Sequence, residues 1–208
     1  MTKLYAGAAA VAVAALLGGS WWVTFGRASD DPFAQCRESA VSGGAGSIGG
    51  PFELVNTEGE TVTDEDVITK PTLLYFGYTF CPDICPADAA RNAEATDMLQ
   101  EDGYDVQPAF ISIDPERDTP EVVGDFVAWM HDDMIGLTGS PEQVKAASQA
   151  YRTFYRKQEG GDPDYYLVDH STFTYLVFPE EGFVEFFRHD EPAEEVVERA
   201  ACFIDAAG

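Results

Sequence analysis

The stretch that most constrains this chain runs from Leu73 to Pro86 and reads LLYFGYTFCPDICP. It opens as a continuous apolar and aromatic run, the pattern of a strand buried on both faces. Cys81-Pro82-Asp83-Ile84-Cys85-Pro86 follows at once, and then Ala87 to Leu99, a segment without Gly or Pro that is rich in helix formers. Two cysteines therefore sit where a strand hands over to a helix. With Pro82 as the first helical residue, Cys81 becomes the cap and Cys85 lies in the opening turns. The i, i+4 spacing brings both sulfurs to one side of the helix end. The unpaired N–H groups and the positive dipole there favour thiolates, the reactive and metal-binding form of cysteine.

Three chemistries fit such a pair. A structural disulfide would close only three intervening residues, where loop closure contributes least. A redox dithiol is the second, although the usual redox spacing is C-x-x-C, one residue shorter. The third is a metal site, which needs a further ligand from elsewhere. Local chemistry leaves redox and metal level.

The leading segment sets the compartment. Lys3 is the only charge before Arg27, and Leu4 to Gly26 is an uncharged run ending in Trp21, Trp22 and Phe25. That length suits a bilayer span and those aromatics its interface. A cleaved signal peptide is the competing reading, but no clean small-x-small site follows the apolar core before the tryptophans and no cysteine there offers lipid attachment. Residues 1–26 therefore read as one transmembrane helix, 27–50 as a Gly/Ser-rich tether, and 51–208 as a folded domain outside the membrane. The 37 Asp+Glu against 12 Lys+Arg give a formal net charge of −25. Such a surface repels phosphate backbones, which argues against nucleic-acid binding.

Within the domain, Phe52–Val55 and Thr61–Val62 flank Thr57-Glu58-Gly59-Glu60 as a small hairpin. Pro108 to Asp114 reads as a second buried strand, and Thr119-Pro120 as the cap and first residue of a helix. Ile135–Thr138 is a short strand and Ser140-Pro141-Glu142 opens another helix. Tyr151–Lys157 has strand character. The second half of Tyr165–Phe178 pairs with Phe183–Phe187, and Pro192–Ile204 closes the chain as a helix. The order β-α-β-α followed by β-β-α predicts an α/β thioredoxin-like sandwich with an N-terminal β-hairpin and a mid-chain insertion. Its reactive end lies where strands pass into helices.

Of three histidines, His131 reads as a solvated helix C-terminus and His189 as part of a polar surface turn. His170, in Val168-Asp169-His170-Ser171 just before a buried strand, lies in a loop that this fold brings to the cysteine end. Two thiolates and one imidazole form a soft set that suits copper, whereas structural zinc normally takes four protein ligands. Asp83, Asp114 and Asp169 are candidates for supporting the ligands, and each also fits a cap or turn.

YFGYTFCPDICP, FISIDPERDTPE, IGLTG and YYLVDHS, in this order and spacing, resemble the Sco (SenC) family of copper-binding, thioredoxin-like proteins over roughly Gly50 to Ile204. The resemblance implies a copper metallochaperone held by one helix in the bacterial inner membrane, with its domain in the periplasm. It implies copper bound by Cys81, Cys85 and His170 and delivered to the dinuclear centre of cytochrome c oxidase subunit II, with other copper chaperones as further partners. The rival expectation is a thiol-disulfide reductase using Cys81 and Cys85. Against it, Ser171-Thr172 stands where a thioredoxin-like oxidoreductase shows a cis-proline. A thiol peroxidase is a third and weaker alternative. Cys36 and Cys202 are additions to the family pattern; a bridge between them would pin the tether across the domain, and the alternative is two unlinked thiols.

Overall fold

The structure, a computed structural model, describes residues 15–20, 31–37, 45–159 and 165–208. The chain divides into two units, Met1–Gln35 and Cys36–Gly208. In the first, residues 15–20 are helical and exposed. Among the described residues no helix is long and apolar enough to cross a membrane; the expected span, Leu4 to Gly26, falls mostly outside them.

The second unit is built on a seven-stranded sheet of order β2-β1-β5-β4-β3-β8-β9. Inside it runs β3 (Thr72–Gly77), flanked in parallel by β4 (Gln107–Ser112), the middle strand, and antiparallel by β8 (Thr174–Phe178). All six residues of β3 are buried, as its unbroken apolar run requires. Phe76 packs on Tyr151 and Tyr175 at ring distances of 5.4 and 5.9 Å. Tyr75, pointing the other way, meets Phe110 at 6.3 Å. Each Leu or Phe sunk in this way contributes roughly 1.5–3 kcal/mol.

At one edge the hairpin of β1 (Glu53–Asn56) and β2 (Thr61–Thr63) joins the sheet through β5 (Ile135–Thr138). Its turn is held by the Asn56 side chain, which accepts from the amides of Glu58 and Glu60 at 3.1 and 2.8 Å, and by Gly59 at φ +81°. At the other edge β9 (Gly182–Phe187) pairs antiparallel with β8.

The helices start where capping chemistry is written. A short α1 (Asp64–Val67) follows Thr63, and α2 (Ile84–Glu101) follows the cysteine loop. Thr119 caps α3 (Pro120–Met130). Ser140 and Gln143 form a reciprocal capping box on α4 (Pro141–Ala150). The last helix, α5 (Ala193–Ala207), packs on α2 and runs in the same direction. Arg91 on α2 donates to the Glu191 carbonyl just before α5, and Tyr104 beyond α2 reaches Asp205 near the end of α5.

Cys36 and Cys202 are joined in a disulfide with Cα atoms 5.7 Å apart, tying the first residue of the unit to α5. Arg37 adds a 2.8 Å bond to the Val184 carbonyl. A separate two-stranded ribbon, β6 (Tyr155–Lys157) with β7 (Val168–His170), is the mid-chain insertion.

Three expectations change. The helix after the cysteine loop starts at Ile84 with Asp83 as its cap, two residues later than a start at Pro82. Pro86 then falls in the first turn, where its missing N–H costs nothing. His170 ends a strand and lies in no loop: it pairs with Tyr155, a partner that a three-residue strand cannot announce in sequence. His131 is no solvated end. Its side chain is 9 % exposed, its Nδ1 accepts from the Asp133 amide, and its Nε2 meets Asp97 at 3.1 Å.

Candidate metal centre

The site forms where β3 ends. Gly77 closes the strand against a crowded background: a Cβ there would lie 2.7 Å from Tyr75 Cε1, 3.0 Å from Phe110 Cε2 and 3.2 Å from Cys85 Sγ. Glycine is needed at this point for close approach. Gly77→Ala is expected to cost about 1–3 kcal/mol, since the neighbours are ring edges in a packed core. It should also displace Cys85 Sγ. A melting temperature within 1 °C of wild type, with unchanged metal affinity, would show that the site has slack.

Beyond Gly77 the chain loops through Tyr78 to Pro82 before entering α2. Cys85, in the helix's first turn, is fully buried, and Cys81 before the cap is half-buried. Although Cys81 is not the cap residue, its Sγ accepts from the Cys85 amide at 3.3 Å, so the sulfur satisfies one of the orphan N–H groups of the helix end. Sharing a proton with Cys85 drives the two thiols apart. The hydrogen bond from Cys85 is the main cause that holds Cys81 down to about 3; the amides of Asp83 and Cys85 help, and burial opposes. That bond, then burial, pushes the Cys85 thiol up. These shifts favour the thiolate at the outer sulfur and the thiol at the inner one.

His170 completes the cluster from the other side. Its Nδ1 lies 2.8 Å from the Ser171 carbonyl, an acceptor only, so Nδ1 carries the proton. Nε2 is left facing the sulfurs, 3.3 Å from Cys85 Sγ. The ring stands edge-on to Tyr75 and Tyr78, with centroids at 6.4 and 5.7 Å, and the Tyr78 hydroxyl accepts from the Val168 amide at 3.4 Å. Two aromatic walls thus fix the imidazole's direction, and one of them also pins β7. All three ligand atoms lie within 4.8 Å of one another, and among the described residues no fourth Cys, His, Asp or Glu joins them. Two donors bound to one ion at ~2.0–2.3 Å are at most about 4.6 Å apart. Closing on an ion needs only small side-chain rotations.

The supporting carboxylates are not those that the sequence suggested. Asp83 offers Cys81 its amide, while its side chain is exposed. Asp114 is buried between Arg117 and the Tyr166 hydroxyl, both at 2.6 Å. Asp169 turns outward to Arg156 and Gln158. None of these carboxylates hydrogen-bonds to Cys81, Cys85 or His170. The carboxylate that fixes the cysteine loop is Asp118, 0 % exposed. It accepts from the Thr79 amide at 3.0 Å, the Thr79 hydroxyl at 2.6 Å and Ser112 at 2.5 Å. Burial raises its pKa, and these bonds resist the rise. Asp118 clamps the chain two residues before Cys81, across 39 residues of sequence.

Residues 41–205 match the family model described as SCO1/SenC. Protein SenC of Rhodobacter capsulatus is 51 % identical over 205 residues, which span 99 % of this chain and 92 % of that protein. The crystal structure of Arabidopsis thaliana ScoI with copper bound superposes with a TM-score of 0.72 at 44 % identity, covering 76 % of this chain and 99 % of that one. Bradyrhizobium japonicum ScoI with copper bound gives a TM-score of 0.66 at 35 % identity over 74 % of this chain and 98 % of its own. The family model and the similar SenC protein each extend over most of this chain, and the chain belongs to the SCO1/SenC family.

Proposed function

We propose that this chain is a copper metallochaperone that holds copper between Cys81, Cys85 and His170 and delivers it to the dinuclear copper centre of cytochrome c oxidase subunit II. The observation that carries this reading is the meeting of two sulfurs and an imidazole Nε2 within 4.8 Å at a helix N-terminus. That soft set matches copper in either common oxidation state, and the two similar ScoI structures hold copper. Copper is the cargo. Cys85 and His170 form the inner wall of its cradle, while Cys81 is the ligand an incoming thiolate can reach. Loading displaces the Cys85 proton, so affinity rises with pH. Oxidation of the pair to a disulfide withdraws both thiolates and prevents loading.

In the same proposal Leu4–Gly26 anchors the chain in the bacterial inner membrane, residues 27–50 tether it, and the domain works in the periplasm, where other copper chaperones supply the metal. Anaerobic Cu(I) titration of the reduced full chain tests the site. One equivalent should bind, with X-ray absorption giving two sulfur neighbours and one nitrogen. A site of oxygen and nitrogen neighbours alone would refute it.

A second reading is favoured by one observation, the asymmetry of the pair. An outer thiolate backed by an inner thiol also describes a reductant of a partner's disulfide, with Cys81 attacking and Cys85 resolving. His170→Ala separates the two: it should impair copper handling while leaving disulfide exchange intact. The asymmetry itself has a spectroscopic signature. In the reduced, metal-free protein, thiolate absorbance near 240 nm is expected to persist for one sulfur as pH falls through 5 and to appear for the other only on the alkaline side. Loss of all thiolate signal in a single step at ordinary thiol pH would contradict it.

A further inference from the structure

In so acidic a chain, large apolar side chains left in solvent are few, and their placement is informative. Among the described residues of the second unit they are Phe80, Trp129, Phe154, Tyr165, Leu167 and Phe173. All but Trp129 lie in the segments that deliver the candidate ligands or, for Phe154, beside the strand that pairs with the one carrying His170. Phe80 directly precedes Cys81, and Leu167 and Phe173 stand three residues to either side of His170. Phe154 is bonded twice to Ser171, its carbonyl accepting at 2.9 Å and its amide donating to the hydroxyl at 3.0 Å. Phe80, Phe154 and Phe173 are 51, 55 and 38 % exposed. Together they present on the order of 250–300 Å² of apolar surface in segments next to the ligand cluster.

The cations beside them are paired, Arg117, which stacks on Phe80, with Asp114 at 2.6 Å. Lys157 pairs with Glu116 at 2.7 Å and Arg156 with Asp169 at 3.0 Å. The margin of the metal centre is therefore aromatic, with its cations paired and Asp83 exposed in the cysteine loop, in a chain whose formal net charge is −25. A small thiol could reach Cys81 without any aromatic collar. A second copy would bring an equal negative charge against it.

We infer that Phe80, Phe154 and Phe173 form a docking rim for a folded protein acceptor whose metal-binding loop is apolar at its tip and flanked by basic residues. This rests on the copper-transfer reading and specifies the partner surface that reading needs. The rim excludes water from the two ligand sets during exchange, while the acidic field sets the sign of the partner and speeds encounter.

The test uses the full chain carrying one Cu(I), mixed by stopped flow with the metal-free soluble domain of cytochrome c oxidase subunit II. The double variant Phe80→Ser/Phe154→Ser should transfer copper at least about tenfold more slowly, as expected when central aromatic anchors are removed. Its Cu(I) affinity and its rate of transfer to a small chelator should stay within about twofold. Wild-type transfer to the protein should slow as salt is raised. Normal loading with an unchanged transfer rate to the protein overturns the rim and leaves copper binding standing. A rate that is indifferent to salt overturns the basic partner. Concentration-dependent dimerisation of wild type that the variant abolishes would assign the rim to a second copy and overturn the acceptor. Failure of wild type to load copper at all would remove the functional reading itself.

Discussion

Cys85→Ser is expected to weaken Cu(I) binding by a thousandfold or more while leaving the fold in place. Cys85 is the innermost of the three proposed ligands, fully buried, with its Sγ 3.3 Å from His170 Nε2 and its amide bonded to Cys81 Sγ. Serine is close in volume, and its hydroxyl can still donate to the Cys81 thiolate or to the imidazole, so the packing around it survives. It cannot offer a soft anionic donor, which leaves one thiolate and one imidazole for the ion. Loss of a residue that merely orients a metal ligand costs about 10–100-fold, and loss of a ligand should exceed that. Cys81→Ser should behave similarly, and His170→Ala should fall between, because both thiolates remain. Anaerobic competition against a Cu(I) chelator of known affinity measures all three. A Cys85→Ser affinity within tenfold of wild type would mean that copper is held elsewhere.

The second large effect concerns stability. Cys36 and Cys202 are separated by 166 residues and joined by a bridge. Closing a loop of that length lowers the entropy of the unfolded chain by an amount worth about 5 kcal/mol as an upper limit. Cys36→Ser/Cys202→Ser is accordingly expected to lose about 2–5 kcal/mol, a fall of roughly 5–15 °C in melting temperature for a domain of this size. Copper affinity should hardly change, because the bridge shares no residue with the metal centre. Differential scanning calorimetry of the double variant, beside wild type with and without reductant, gives the answer. A melting temperature within 2 °C of the oxidised wild type would show the crosslink to be energetically idle. The double replacement is the informative one, since a single replacement leaves a lone thiol free to form new bridges.

How far the sequence could be read depended on the range of each interaction. The buried strand Thr72–Gly77, the caps at Thr119 and Ser140 and the Asn56 turn are written within a few residues of where they act. So is the pairing of Cys81 with Cys85, although the helix began two residues later than the proline suggested. The elements that shape the site are not local. His170 takes its direction from Tyr75 and Tyr78, about ninety residues earlier, and its strand from a partner across the insertion. Asp118 lies between the expected strand ending at Asp114 and the cap at Thr119, with no local sign of a role; that it carries the cysteine loop through Thr79 depends on two strands lying side by side. Asp114 and Asp169 stood near the right places in sequence, but one is satisfied by Arg117 and Tyr166. The other is turned outward by strand alternation, which points neighbours to opposite faces.

One further consequence follows from the shared direction of α2 and α5. Cys85 opens α2, whereas Tyr104, just past its end, bonds to Asp205, three residues beyond Cys202. Eighteen helical residues rise about 27 Å. Residue 36 is therefore stapled to the back of the domain, most of a domain's width from the sulfurs. Force applied at residue 36 would be carried through the bridge into α5 and would enter the domain at the end away from the sulfurs.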